Sequence, residues 1–197
     1  MSRPPGQVGP RRRALLAALA GAAWVPGVAS AVPPQQHARF GRVDPPLTAP
    51  ALPLGRADGS RTDLQRELSG RVTAVQLMFT GCSAVCPIQG ALFAEVARRL
   101  PGPDCRLLSL SVDPLGDDAP ALQAWLARFG SPKGWQAAVP KGRDVDRLLG
   151  FLDGRAEGVD RHTGQVYLFD RRGRLVFRTA DLPPPGHVVE VLAAVRG

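Results

Sequence analysis

Cysteine is scarce in this chain of 197 residues: only Cys82, Cys86 and Cys105 occur. Three are too few for a disulfide-stapled small fold, and a chain of this length can bury a core without one. Histidine is equally sparse, at three residues. Long apolar spans are missing too: the uncharged stretch Ala14 to Val32 is broken by Pro26 and falls short of the roughly 20 residues a spanning helix needs. No run of basic residues interleaved with aromatics occurs, which argues against a nucleic-acid partner despite the formal charge of +8. Finally, no proline lies between Pro140 and Pro183.

What is present begins with a leader. Arg3, Arg11, Arg12 and Arg13 precede the Ala/Leu/Val-rich stretch, which closes on Ala29-Ser30-Ala31. A basic start, a short apolar middle and a small-x-small end describe a secretory signal peptide over residues 1–31. The expected location is therefore periplasmic, by a general or a twin-arginine export route. Removing those four arginines leaves +4 of the +8 for the mature chain, a mild surplus that suits an acidic partner or an anionic membrane surface. No cysteine follows the cleavage pattern, so the sequence gives no support for a lipid anchor there.

Residues 32–50, with Pro33, Pro34, Pro45, Pro46 and Pro50, read as an extended tether. The remaining span, 51–197, reads as one domain. Ala51 to Leu54 predicts a strand turning at Asp58-Gly59, and Thr62 a cap for a short helix ending before Gly70. Val72 to Phe79 is the apolar run of a strand buried on both faces. Ile88, Leu92, Val96 and Leu100 make a helix stripe behind Pro87. Leu107–Val112 predicts a strand, Pro120–Phe129 and Arg143–Leu152 two helices, and Val166–Phe169 with Leu175–Phe177 a hairpin; a helix over about 186–195 closes the chain. Alternating strands and helices ending on a hairpin and a helix predict an α/β, thioredoxin-like fold with an extra N-terminal β-hairpin.

The chemistry concentrates between the apolar strand and the helix that follows it, in Phe79-Thr80-Gly81-Cys82-Ser83-Ala84-Val85-Cys86-Pro87. Cysteines at a helix start meet the positive end of the dipole, and thiolates both attack disulfides and bind soft metals. Redox enzymes of the thioredoxin type use Cys-x-x-Cys at this turn. Here three residues separate the cysteines, and an i, i+4 pair shares one helix face, so both sulfurs can address one ion. Copper or zinc would want a further ligand, commonly imidazole. His162 stands in the loop before the hairpin, where thioredoxin-type enzymes carry a cis-proline, and is the candidate third ligand. Cys105 reads as a small core residue, His37 and His187 as solvent or capping residues, and Asp113 as a turn former before Pro114.

Phe-Thr-x-Cys-x-x-x-Cys-Pro, then Ser111-Val112-Asp113-Pro114 with Asp117, Asp118 and Pro120, then His162 ahead of Val166-Tyr167-Leu168-Phe169-Asp170, resembles the Sco/SenC family over roughly residues 50 to 195. The resemblance implies a periplasmic or mitochondrial copper protein that helps assemble the binuclear copper site of cytochrome c oxidase. It implies Cys82, Cys86 and His162 as ligands of Cu(I) or Cu(II). Its expected partners are an apo copper protein, such as a cytochrome c oxidase subunit, and an upstream thiol reductant. Two positions depart from the family: Ser83-Ala84 stands where Pro-Asp is common, and Arg161 where Asp is common, with Asp160 one step earlier. The competing expectation is a thiol-disulfide oxidoreductase with Cys82 as attacking thiol, which would not need His162. A peroxidase would want Pro, Thr and Arg around its cysteine, and no such arrangement is present.

Overall fold

The computed structural model describes residues 39–157 and 162–197. The expected signal segment 1–31, the first part of the tether, His37, Asp160 and Arg161 lie outside the described residues. In chain order the elements are β1 (Gly41–Thr48), β2 (Pro53–Arg56), β3 (Arg61–Asp63), α1 (Leu64–Leu68), β4 (Val72–Met78) and α2 (Val85–Arg98). They continue with β5 (Cys105–Ser111), α3 (Ala119–Arg128), β6 (Trp135–Pro140), α4 (Gly142–Leu152), β7 (Val166–Phe169), β8 (Arg174–Arg178) and α5 (Pro185–Arg196). Among the described residues no helix is long and apolar enough to cross a membrane.

Eight strands form one sheet in the order β1-β8-β7-β4-β5-β6-β2-β3. β4, β5 and β6 are parallel and the other pairings antiparallel. All seven residues of β4 are buried, as the apolar run requires of a strand covered on both faces. Alternation along the strands divides the core. Ala74, Met78 and Leu107 pack under α2, α3 and α5, whereas Val75, Leu77 and Leu108 pack under α1 and α4.

The β2–β3 hairpin is the expected N-terminal addition, and it pairs with β6 at one side of the sheet. Three local assignments differ from the sequence expectation. Asp63, not Thr62, caps α1, its carboxylate accepting from the Arg66 amide at 2.8 Å. β6 was not expected at all. Residues 41–48, read as tether, form the edge strand β1, which pairs with β8 across a bulge between Arg42 and Leu47. Pro45 and Pro46 fit there because an edge strand has one side that needs no ladder donor, and they discourage pairing with another chain.

The β7–β8 turn shows how a charged loop holds its shape. The Asp170 carboxylate accepts from the Arg172 and Arg174 amides at 2.9 and 3.0 Å and from Arg174 Nε at 2.8 Å. Burial alone would raise this carboxyl, but the hydrogen bonds from Arg174 and the turn amides outweigh it and hold it below its ordinary value. A depressed native value adds stability at pH above the ordinary carboxylate range, which is lost as pH falls through the native value. Asp170→Ala is expected to cost about 1 kcal/mol at pH 7. In denaturant melts, that difference from wild type should shrink toward pH 3. A difference independent of pH would contradict this account.

Candidate metal centre

Beyond β4 the chain turns at Thr80-Gly81, and the Cys82 amide donates to the Phe79 carbonyl at 3.2 Å. α2 starts three residues after Cys82, and Ala84, at its N-cap, has no side chain able to accept from the first-turn amides. The Cys82 sulfur takes that place, accepting from the Cys86 amide at 3.4 Å. The expected i, i+4 helical pair is thus a loop cysteine in front of the helix and a first-turn cysteine. The structure brings the two together by capping instead of by helical stacking. The helix start presents its partial positive charge to the Cys82 sulfur. Cys82 and Cys86 are 6% and 0% exposed, while Ser83, Ala84, Pro87 and Ile88 are exposed, so the sulfurs lie beneath a solvent-facing crest.

His162 arrives from the other strand of the same neighbourhood. β7 runs antiparallel to β4, with Gln76 opposite Val166, so the segment before β7 lies at the end of the sheet where the cysteine loop leaves. The His162 ring stands edge-on to Phe79, with centroids 6.2 Å apart. Its Nδ1 bonds the Thr163 carbonyl at 3.0 Å. A carbonyl can only accept, so Nδ1 carries the proton and Nε2 has the lone pair a metal would use.

Thr163 itself is clamped: its amide donates to the Gly154 carbonyl at 2.9 Å and its hydroxyl meets the Tyr167 hydroxyl at 2.6 Å. Burial pushes the Tyr167 phenol well above its ordinary value, partly offset by the Thr163 bond. Tyr167 therefore stays a neutral hydrogen-bonding group across the physiological range. Among the described residues, no three His, Cys, Asp or Glu side chains are already gathered as a metal cage.

Cys105 has no place at this end. It pairs with Val72 at the start of β4, six residues and roughly 20 Å of strand from the cysteine loop. Burial, then the neighbouring Asp104, raise its thiol above the ordinary value, which suits a core residue. His187 packs against Phe177 on α5, ring centroids 6.1 Å apart. Asp113 does shape a turn: its carboxylate accepts from the Leu115 and Gly116 amides at 3.3 and 3.0 Å.

Two residues near the site had no assigned role from sequence. Asp117, 6% exposed, accepts from the Thr80 amide at 3.1 Å and from the Thr80 and Ser111 hydroxyls, each at 2.5 Å. It ties the loop after β5 to the turn that carries Cys82. Its only sequence signal was membership of the Ser111-to-Pro120 run. Gln89 is buried on α2, one turn beyond Cys86, and nothing in the helix stripe distinguished it.

Comparison with known proteins places this arrangement. Residues 54–138 match the family model described as SCO1/SenC, whereas no curated protein matches the chain. Among solved structures, ScoI of Bradyrhizobium japonicum with copper bound is similar at a TM-score of 0.63 and 21% identity, covering 75% of this chain and 99% of that one. A SCO1/SenC family lipoprotein from Bacillus anthracis gives 0.64 and 20% identity, over 79% and 99% of the two chains. BsSco, a member of the Sco family of cytochrome c oxidase assembly proteins with an identified disulfide switch, gives 0.66 and 19%, over 76% and 94%. At these identities the structural likeness establishes the thioredoxin-like fold, to which the sheet and helix order conform.

Proposed function

We propose that this chain, whose residues 54–138 match the SCO1/SenC family model, is an exported copper chaperone whose cargo site is Cys82, Cys86 and His162. The observation that carries the proposal is that two buried sulfurs at a helix start and an imidazole with Nε2 as its lone-pair nitrogen come from neighbouring strands at the same end of the sheet. Two soft thiolates and one imidazole suit Cu(I), and Cu(II) with an added oxygen ligand. The copper bound by the Bradyrhizobium relative supports the choice of metal. The Sco family's link to cytochrome c oxidase assembly supports a copper-site subunit of that enzyme as acceptor. The Arg-rich N-terminal segment and the lipoprotein relative support an extracytoplasmic location, with the span from β1 to α5 as the working domain.

In this mechanism the sulfurs hold the ion from beneath the crest. His162, fixed through Thr163 and Tyr167, closes the third position, and an acceptor displaces the protein ligands one at a time. Without copper, the two thiols can lose two protons and two electrons to form a disulfide, so a thiol reductant must restore the site between cycles. A thiol-disulfide oxidoreductase remains the second reading, favoured by the contact between the Cys82 sulfur and the Cys86 amide that holds the pair together.

Anaerobic Cu(I) titration of the reduced protein should give one copper per chain. His162→Ala should weaken it by about the 100-fold that loss of even an outer-shell partner can reach, or more. Absence of tight copper in the wild type, together with rapid exchange against a disulfide peptide, would assign the oxidoreductase instead.

A further inference from the structure

Gln89 is 1% exposed, and both its Nε2 and Oε1 are buried without a hydrogen-bond partner. Buried amides are nearly always satisfied, so a wholly unsatisfied one asks for a cause. The other unpaired buried groups are of a different kind. Gln76 lacks a partner only at Oε1, its Nε2 donating to Ser109 at 2.8 Å, and Asp144 only at Oδ2, its other oxygen meeting Arg147 at 3.0 Å. Trp125 Nε1 is likewise buried without a partner, but among the described residues only Gln89 leaves both a donor and an acceptor of one buried amide unbonded.

Its position gives that head a direction. Gln89 lies three residues after Cys86 on the same buried face of α2. Long side chains on a helix lean toward its N-terminus, over the residues three and four positions earlier. From that position the carboxamide can reach back toward the turn that carries Cys86, although it makes no hydrogen bond there in this structure.

Resting on the copper-site reading above, we propose that Gln89 is a positioning residue of that site. Its Nε2–H donates to the Cys86 sulfur when that sulfur is a thiolate or a metal ligand. An N–H donor at a metal-bound sulfur fixes the orientation of that sulfur and lowers the energy of its lone pairs, so it supports metal affinity and tunes potential. A Leu of similar size would fill the space and supply no donor.

The test uses the full chain with Gln89→Leu and, as a second shape, Gln89→Met, each checked by thermal melt. If Gln89 were only a misplaced core residue, both variants would melt as high as wild type or higher and alter nothing else. The proposal requires melts that are retained or raised together with two changes. Copper binding should fall about tenfold, and the sulfur-to-Cu(II) charge-transfer band should move to longer wavelength.

A metal-free measurement separates this proposal from the function it rests on. In equilibrium with dithiothreitol, Cys82 and Cys86 form one S–S bond as the reagent's is reduced by the same two electrons and two protons. Loss of a donor that favours the thiolate form should shift this equilibrium toward the disulfide by about tenfold, on the scale of other outer-shell losses. Such a shift in a protein that binds no copper would uphold Gln89 and discard the chaperone. An unchanged band, affinity and thiol equilibrium in both variants would overturn the role given to Gln89 and leave the chaperone standing.

Discussion

Asp117→Ala is expected to destabilise the protein by about 3–4 kcal/mol and to loosen the cysteine loop at the same time. The carboxylate is buried and takes three donors, the Thr80 amide and hydroxyl and the Ser111 hydroxyl. Removing it strands all three, and an unsatisfied buried donor costs about 1–3 kcal/mol. Thr80 lies two residues before Cys82, so its release acts on the site directly. Urea unfolding measures the first effect, and copper affinity in buffer without denaturant measures the second. Asp117→Asn, which keeps acceptor oxygen but no charge, should fall between the two. A variant as stable as wild type, binding copper equally well, would mean that the loop is held by something else.

Gly90→Ala should cost about 3 kcal/mol, although alanine is worth up to roughly 1 kcal/mol more than glycine inside a helix. A Cβ on Gly90 would lie 2.1 Å from the Phe129 ring. That ring has little room to retreat, since it packs between Trp125 at 5.0 Å and Trp135 at 5.5 Å between centroids. Either α2 shifts outward or the aromatic stack reorders, and both disturb the seat of the helix that carries Cys86. Because the clash is with an aromatic ring, Phe129→Leu in the same chain should recover part of the loss. If Gly90→Ala alone melts with the wild type, the close approach of α2 to α3 is not structurally important.

The parts of this fold legible in the sequence are those whose cause is local or strongly periodic. The apolar run of β4, the Leu92 and Val96 part of the α2 stripe (Ile88 is exposed and Leu100 lies beyond the helix) and the Asp170-to-Arg174 turn each announce themselves within a dozen residues. The parts that escaped depend on partners far along the chain. β6, Trp-Gln-Ala-Ala-Val-Pro, carries two alanines and a glutamine, poor strand formers, and is made a strand by lying between β5 and β2. β1 looked like a tether because its prolines were judged without knowing that β8 would offer an edge. At the site, spacing singled out Cys82 and Cys86 but put both on the helix. It had no means of seeing that a helix with alanine at its cap would recruit a sulfur as acceptor. The roles of Asp117 and Gln89 escaped for the same reason, since burial and the choice or absence of partners are properties of the folded chain.

The strand pairing behind the site also limits how cargo can leave it. The cysteine loop follows β4 and His162 precedes β7, and these two strands are hydrogen-bonded neighbours in the middle of the sheet. Hinge opening, as in proteins that clasp a ligand between lobes, would here require shearing the core. If Cys82, Cys86 and His162 hold the cargo, its release would run through rotations of side chains at the exposed crest of Ser83 and Ala84. Such small motions occur in nanoseconds to microseconds, far faster than domain movements. On the proposed function, the pace of transfer would then be set by the encounter with the acceptor and by the order in which its ligands replace Cys82, Cys86 and His162.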